Sequence, residues 1–284
     1  LDGQDARNSA MGGYIASYSD GNNPALLIEA TESSIHFSKK NKFSGIADVN
    51  FISYMHYGKK YPLYFSLINR NVNNIPDTRS AWIDDGDFIP ESGEINYYNI
   101  DEIDQREIGL KIASFLEFNK LIFGYNFKPT YTGLADFTAW GLSGDIATII
   151  QPVKKIELSI RIEDLIGIKY WNTGNFERIS PLLMAGGEIK FMTLLLGVDV
   201  GFRVIDNAPI NYHLGCEFYQ NHQLYYRLGT SHNSMFSAGI GIRFPAFQID
   251  YAYIDPNYDT PFAVSHIIST GFFIEKINKL KGKI

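Results

Sequence analysis

The sequence contains one cysteine, no long apolar run and no excess of positive charge, and each of these absences excludes a class of protein. A lone Cys216 rules out an intrachain disulfide and a metal cluster built from several cysteines. Apolar runs such as 192–198 fall far short of the ~18 residues that a membrane-spanning helix requires, so a helical membrane bundle is excluded. The net charge of −6 and the pI of 5.5 argue against nucleic acid as the main partner.

Motifs that carry catalysis are missing as well. The chain has no His-Glu-x-x-His, no Gly-x-Ser-x-Gly and no phosphate-binding P-loop. We therefore expect a non-enzymatic protein that uses no cofactor. The first residues also lack the basic-then-apolar stretch of a signal peptide, as is expected of a cytoplasmic protein or of a mature chain after signal-peptide removal.

The strongest positive signal is the alternation of apolar and polar residues. In one stretch the apolar residues that occupy every second position are Leu194, Leu196, Val198, Val200, Phe202 and Val204. Successive side chains of a strand point to opposite faces, so this pattern predicts strands with one apolar and one polar face. The whole chain then contains fourteen strands and hardly any helix. The predicted spans are 33–39, 44–57, 61–70, 104–117, 120–131, 139–151, 155–166, 181–190, 193–205, 209–219, 223–231, 235–244, 246–254 and 263–274.

Two architectures fit such strands: a soluble β-sandwich or barrel with apolar faces inside, or a membrane barrel with apolar faces turned to lipid. The strand lengths favour the membrane barrel, because most are near the ~9–11 residues that a tilted spanning strand needs. Aromatic residues toward strand ends, among them Tyr57, Tyr131 and Trp140, fit the girdles at a membrane interface. We therefore predict an all-β fold, a single 14-stranded antiparallel transmembrane β-barrel with an N-terminal plug segment.

The polar faces of the predicted strands carry isolated charges of both signs, whereas the apolar faces carry almost none. Charges are costly against hydrocarbon, so this one-sided distribution is expected of strands that face lipid on one side and a lumen on the other. We predict that the lumen charges pair across neighbouring strands and with the plug, and that they close the lumen. The predicted network comprises Glu157, Arg161, Glu163, Asp199, Arg203, Glu217, Arg227, Arg243 and Asp250.

The chain divides into three predicted parts: a plug segment at 1–30, the barrel at 31–274 and a basic periplasmic tail at 275–284. An even number of strands places both termini at the periplasmic end. The longer gaps then lie outside the cell, as in outer-membrane barrels. These gaps are 71–103, 132–138, 167–180 and 255–262. We expect the tail to be disordered or to rest on lipid headgroups or a periplasmic partner.

The first thirty residues do not alternate, yet they contain apolar residues, glycines and a turn signal. Apolar surface of this kind can dock, and glycine allows close backbone approach, so a position inside the lumen is predicted. The residues that form the predicted plug motif are Ala10, Met11, Gly12, Gly13, Asn23, Pro24 and Ala25.

Three short motifs resemble the PorV/PorQ family, a branch of the fatty-acid-transporter-like (FadL-like) outer-membrane barrels. They are the Ala6-Arg7-x-x-Ala10-Met11-Gly12-Gly13 opening with Asn23-Pro24-Ala25, the runs 127–131 and 140–145, and the runs 237–244 and 250–253; the final strand around 266–272 is similar in style. The resemblance covers roughly 5–274 of the chain. It implies a fourteen-stranded barrel with an N-terminal plug, in the outer membrane of Bacteroidota-like bacteria. It also implies an accessory role in the type IX protein secretion system.

The longest predicted loop is rich in carboxylates and has one basic residue, Arg79. Hard oxygen ligands of this kind bind calcium, which makes Asp84, Asp85 and Asp87 weak calcium candidates. A solvated acidic loop is the simpler interpretation, because the spacing does not match a calcium-binding loop.

Three functional hypotheses follow. The first is an accessory or docking component of a larger outer-membrane secretion or surface assembly, with outer-membrane lipid as its surroundings. The second is a FadL-like channel that takes up hydrophobic small molecules. The third is a soluble β-rich binding protein.

Overall fold

The computed structural model describes residues 5–13, 21–58, 62–86, 88–89, 91–205, 208–221, 223–256 and 263–281. Most of this part of the chain is in strands. The strands are β1 Ser34–Lys42, β2 Ala47–His56, β3 Leu63–Asp77, β4 Asp101–Phe118, β5 Leu121–Leu134, β6 Phe137–Val153, β7 Ile156–Trp171, β8 Phe176–Arg178, β9 Leu182–Phe191, β10 Leu194–Arg203, β11 Asn211–Gln220, β12 Leu224–Ser231, β13 Ser234–Arg243, β14 Phe247–Pro256 and β15 Ser265–Phe273.

These strands form one closed antiparallel barrel. Apart from the three-residue β8, each strand pairs with the next strand along the chain, and the pairing of β1 with β15 closes the barrel. β7 pairs with β9 along its first half and with the three-residue β8 near its end. The predicted 14-stranded all-β barrel is therefore confirmed. The short β8 is an addition that the sequence did not indicate.

The two faces of the wall differ in the way that the alternation predicts. Along β10, Leu196, Val198 and Val200 are exposed on the outer face, and Leu195 and Asp199 are buried on the inner face. The same contrast recurs around the barrel, where exposed large apolar side chains lie outside and buried charges lie inside. The inner face of a closed barrel is enclosed, so charged side chains on it must pair with other groups inside the lumen.

Several predicted boundaries are wrong on the side that carries the longest loop. The predicted gap 132–138 shrinks to a turn at 135–136, because β5 and β6 continue pairing up to Leu134 and Phe137. The predicted gap 167–180 contains the end of β7 and all of β8. The longest loop narrows to 78–100, and a bridge between Trp82 and Ile95 orders its base. Most of the predicted loop 255–262 lies outside the described residues.

Short helices occupy the ends of the chain. Helix α1 spans Ala6–Ala10, a 3-10 helix spans Pro24–Glu29, and helix α2 spans Ile274–Lys281. Asp5 caps α1, since its carboxylate accepts from the backbone N–H of Asn8 at 2.7 Å. Within the described part of the chain, none of the helices is long and apolar enough to cross a membrane.

The described part of the predicted tail is ordered rather than disordered. It forms α2, which follows β15 directly. Two contacts fix the helix to the chain just before β1: the Glu275 carboxylate accepts from the N–H of Ser33 at 3.0 Å, and Lys276 pairs with Glu32 at 2.7 Å. Ten isolated residues do not hold a helix in water, and these contacts supply the missing stabilisation.

Candidate functional site

Helix α1 lies against the inner face of the last strands of the barrel and is held there by polar contacts. The N–H of Ala6 donates to the Ser269 hydroxyl at 2.8 Å. The hydroxyl of Ser237 donates to the carbonyl of Ala10 at 3.0 Å and accepts from the N–H of Gly12 at 3.0 Å. Inward-facing serines of β13 and β15 therefore satisfy backbone groups that the end of a short helix leaves without partners.

Glycines in the N-terminal segment and on the inner face of the barrel allow the backbone after α1 to contact the barrel closely. Gly12 has a φ of +74°, and a Cβ there would lie 2.3 Å from the carbonyl oxygen of Thr230. On the wall, a Cβ at Gly215 would lie 2.6 Å from the carbonyl oxygen of Met11. No larger residue fits at either position without a shift of backbone, which explains the glycine in the predicted motif.

A charge network ties α1 to three strands. Arg7 donates two hydrogen bonds of 2.9 Å to the carboxylate of Glu217 on β11. The same carboxylate pairs with Arg227 of β12 at 2.6 Å, and Arg227 reaches Asp250 of β14 at 2.7 Å. The two guanidinium groups and the two carboxylates balance, so the network has no net charge. Arg7 was not among the predicted network residues.

The other predicted network residues separate into distinct surroundings. Arg161 pairs with Glu163 at 3.1 Å and approaches Asp199 at 3.9 Å. Asp199 also contacts Nδ1 of His213, its direct cross-strand neighbour, at 2.5 Å. The remaining three have other contacts: Arg203 donates to the carbonyl of Ser180, Arg243 lies over the ring of Phe273, and Glu157 accepts from the amide of Gln151.

A further buried ion group lies where β7 bends; alternation places Lys128 and Asp145 on the polar faces of their strands but misses Asp164. Lys128 pairs with Asp145 at 2.6 Å and with Asp164 at 2.8 Å. Asp164 has a φ of +52°, and the β6–β7 register shifts between Gly144 and Ile146. Strict alternation from Ile162 would point Asp164 outward; the bulge turns it to the inner face instead.

The second docked part of the N-terminal segment is apolar. Leu27 of the 3-10 helix packs among Val49, Met55 and Tyr64 on the inner face of β2 and β3. The other residues of this contact are Ala25 and Leu26, which pack against Ile122, Ala147 and Ile149. Asn23 caps the helix by accepting from the N–H of Ala25 at 3.1 Å. The inner wall of β2–β6 therefore has an apolar surface, which the 3-10 helix covers.

Polar contacts fix the start of this second part. The ammonium group of Lys111 on β4 donates to the carbonyl of Gly21 at 3.2 Å and to the side-chain oxygen of Asn22 at 2.9 Å. A cavity of about 410 Å³ remains inside the barrel near the chain termini. Its lining includes Arg7, Glu29, Arg243 and Asp250, so the space not covered by the N-terminal segment is polar there.

Two groups of carboxylates come close enough to share a cation. In the first, oxygens of Glu29, Glu157 and Glu188 lie within 4.8 Å of one another. Lys190 already neutralises part of this charge, at 3.2 Å from Glu29 and 2.5 Å from Glu188. An acidic group with its own internal cation has less need of a metal ion.

The second group is in the long loop and joins two of the weak calcium candidates, Asp84 and Asp85, with Glu94. The third candidate, Asp87, lies outside the described residues. Glu94 accepts from the indole N–H of Trp82 at 2.9 Å and from the N–H of Asp85 at 3.0 Å. These hydrogen bonds, that of Trp82 first, lower the pKa of Glu94 below its usual value. Calcium binding at this loop stays a prediction.

Neither a protein-family model nor a curated protein matches the chain. Solved structures do resemble it. The toluene transporter TodX of Pseudomonas putida is 13% identical, with a TM-score of 0.67 over 96% of this chain and 98% of that one. The CymD monoaromatic hydrocarbon channel is 12% identical, with a TM-score of 0.66 over 95% and 97% of the two chains. A FadL homologue of Pseudomonas aeruginosa is 10% identical, with a TM-score of 0.54 over 95% and 98%.

At such low identities the likeness establishes the fold alone, a closed barrel like those of TodX, CymD and the FadL homologue. It does not extend to the PorV/PorQ branch. The expected role as an accessory of type IX secretion is wrong, because two of the similar structures are a toluene transporter and a monoaromatic hydrocarbon channel. None of the three is described as an enzyme, which agrees with the expected absence of catalysis.

Proposed function

We propose that the protein is an outer-membrane channel for hydrophobic small molecules of the hydrocarbon class. The observation that carries the proposal is the apolar inner wall of β2–β6 beneath the 3-10 helix, in a barrel whose fold matches hydrocarbon channels along almost its whole length. An apolar inner surface binds apolar molecules, whereas a diffusion pore for sugars or ions has a polar, water-filled interior.

Placement of the barrel in a membrane is supported by its outer surface. On β10 and just beyond, outward apolar residues continue from Leu194 to Val204. About ten residue steps at ~3.3 Å each, tilted by ~40°, rise about 25 Å, which is the height of the apolar band of an outer-membrane barrel. A soluble barrel would not expose such a band to water. A location in a bacterial outer membrane and lipid as the surroundings are part of the proposal.

The N-terminal segment acts as the plug in this account. Its first part, residues 5–13, is held by the charge network, and its second part, 21–30, covers the apolar wall. A hydrocarbon and the side chains of Leu26 and Leu27 compete for the same surface. Entry of the hydrocarbon therefore requires the 3-10 helix to shift, while the paired charges on the other side of the lumen keep ions from passing.

Binding to the purified barrel tests the proposal. Radiolabelled toluene should bind saturably in detergent, and Met55→Glu should abolish that binding because it puts a charge on the apolar wall. Ser66→Glu is the matched control: Ser66 also faces inward, on the neighbouring β3, but belongs to neither apolar cluster. We expect it to retain binding.

Non-saturable uptake of toluene, equal in the parent protein and in Met55→Glu, would count against a specific apolar site. Heat-modifiable gel mobility of each variant checks that the barrel has folded. Membership of the PorV/PorQ branch remains a prediction from the sequence motifs alone.

A further inference from the structure

The two ends of the barrel differ in charge. Antiparallel order places the β4–β5 and β6–β7 turns at the same end as α2, here called the terminus end. The exposed cations described at this end are Lys120, Lys154, Lys155, Arg243 and Lys279, with Glu117 as the exposed carboxylate. The exposed carboxylates described at the opposite end are Asp85, Glu91, Asp101, Glu102, Asp104, Asp136 and Glu177, with Arg79, Arg106 and Arg178 as exposed cations.

The lysines of the terminus end are available for an external partner. None of Lys120, Lys154, Lys155 and Lys279 makes an ion pair with another residue of the described chain. At the opposite end Arg79 is paired with Asp77 at 2.6 Å, and the exposed Arg106 and Arg178 are outnumbered by exposed carboxylates. A net-acidic protein that keeps unpaired cations together at one end has a surface suited to anions.

These lysines also lie at the edge of the apolar band. Lys120 stands between Phe118 and Leu121, which are 62% and 44% exposed. Lys154 and Lys155 stand between Val153 and Ile156, which are 54% and 36% exposed. A lysine in this position lays its apolar stem along the hydrocarbon edge and its ammonium group among the headgroups.

Helix α2 adds to the same rim. It leaves β15 at Phe273, next to the outward-facing Phe272, whose ring is 6.4 Å from that of Phe247. The ammonium group of Lys276 lies over the ring of Phe273 and pairs with Glu32, and these two contacts fix the first turn of α2. Lys279, one turn further on, is exposed. The helix is therefore held beside an aromatic edge with a free lysine at headgroup level.

We propose that the terminus end is a binding surface for anionic phospholipid headgroups of the adjoining leaflet. The inference rests on the membrane placement in the proposed function and goes beyond it. The phosphate groups complement the unpaired lysines, and the exposed aromatic and aliphatic side chains beside each lysine contact the acyl chains of the same lipids. The acidic opposite end lacks this complementarity.

Spin-labelled lipids in proteoliposomes of phosphatidylcholine test this surface. We expect phosphatidylglycerol to associate with the barrel roughly five-fold more strongly than phosphatidylcholine at low salt. This preference should fall in about 0.5 M salt, because salt screens the attraction between exposed charges. The double variant Lys154→Gln/Lys155→Gln should lose more than half of the preference. The charge-matched control Lys169→Gln/Arg178→Gln, at the opposite end, should keep it.

Equal association of the two lipids, or equal loss in both double variants, would overturn the inference and leave the channel proposal untouched. Absence of any motionally restricted lipid would instead overturn the membrane placement, and with it the proposed function. Toluene binding, measured on the same preparations, should be unchanged in all the variants.

Discussion

Arg227 joins helix α1 to the barrel wall through one buried side chain. It contacts Glu217, which also holds Arg7, and Asp250, and all three wall residues are nearly inaccessible to solvent. Removing one member of such a group leaves a buried charge without compensation. Arg227→Met should therefore lower the free energy of unfolding by about 3–5 kcal/mol, measured by guanidinium unfolding in detergent micelles.

The pair of the exposed Arg79 with the half-buried Asp77 provides the control for this substitution. Both residues are at the loop end, and water screens their interaction. Arg79→Met should leave the unfolding midpoint unchanged within error. Equal losses in the two variants would mean that the charge network does not contribute through its burial.

Glu94 gives the long loop a dependence on pH. Its folded-state pKa is lowered by the hydrogen bonds from Trp82, Asp85 and Glu91. A lowered pKa means that the carboxylate stabilises the folded loop above its unfolded pKa of about 4.3, and that this contribution is lost as the pH falls through the folded value. We expect the loop to be ordered at neutral pH and to loosen in acid.

Fluorescence of Trp82 measures this transition when Trp140 and Trp171 are replaced by Phe. The emission should shift as the pH falls below the unfolded pKa of about 4.3, where the folded carboxylate takes up its proton. The same protein with Glu94→Gln should show no acid transition, because the amide does not titrate. A transition of equal size in the Gln variant would assign it to another group.

Single residues also show where prediction from the sequence ends. Alternation places Glu217 and Arg227 on the inner face, and the short turn between β11 and β12 sets them directly opposite each other. The inward position of Asp164 could not be predicted, because a bulge with positive φ turns its side chain to the other face. The ion pair of Arg7 could not be predicted either, because the N-terminal segment does not alternate. The face of the sheet on which a side chain lies follows from local periodicity, but the residues with which it pairs depend on strand register and on bulges.

At the scale of elements, close backbone contact holds residues 5–13 against the barrel wall. Gly215 lets Met11 approach the wall, and a larger side chain would need the room that Met11 occupies. Gly215→Leu should therefore displace residues 5–13 and raise the conductance of single barrels in planar bilayers. The parent protein should show little conductance.

Gly93 offers a matched control, because a Cβ there meets no atom within 4 Å. Gly93→Leu should leave the conductance as low as in the parent. Deleting residues 1–30 should give at least the conductance of Gly215→Leu. If Gly215→Leu showed no increase in conductance while the deletion of residues 1–30 did, residues 21–30 alone would close the lumen.

The boundaries of elements were predicted less well than their number. The turn at 135–136 replaced a predicted loop because β5 and β6 stay paired beyond the apolar band, where no lipid-facing pattern marks the strand. The sequence predicts the tail as disordered or resting on lipid headgroups or a partner, and misses helix α2, because the order of α2 comes from Glu32 and Ser33, far away in sequence. Contacts that join distant parts of the chain leave no local signal.

At the scale of the whole molecule, the inner surface has two sides. The strands β2–β6 present an apolar wall to the 3-10 helix, and β11–β15 present paired charges and serines to α1. The alternating pattern predicted the charged side and the closed barrel. The apolar side was not predicted, because apolar residues at inward positions look like breaks in the pattern.

Passage of hydrophobic molecules through this barrel can be measured as uptake by cells with an intact lipopolysaccharide barrier. Cells that express the protein should take up radiolabelled toluene faster than cells without it, and faster than cells with Met55→Glu at the same level in the outer membrane. Uptake of a small labelled sugar should be the same in all three. Toluene uptake that does not change with expression, or sugar uptake that rises with it, would contradict the account.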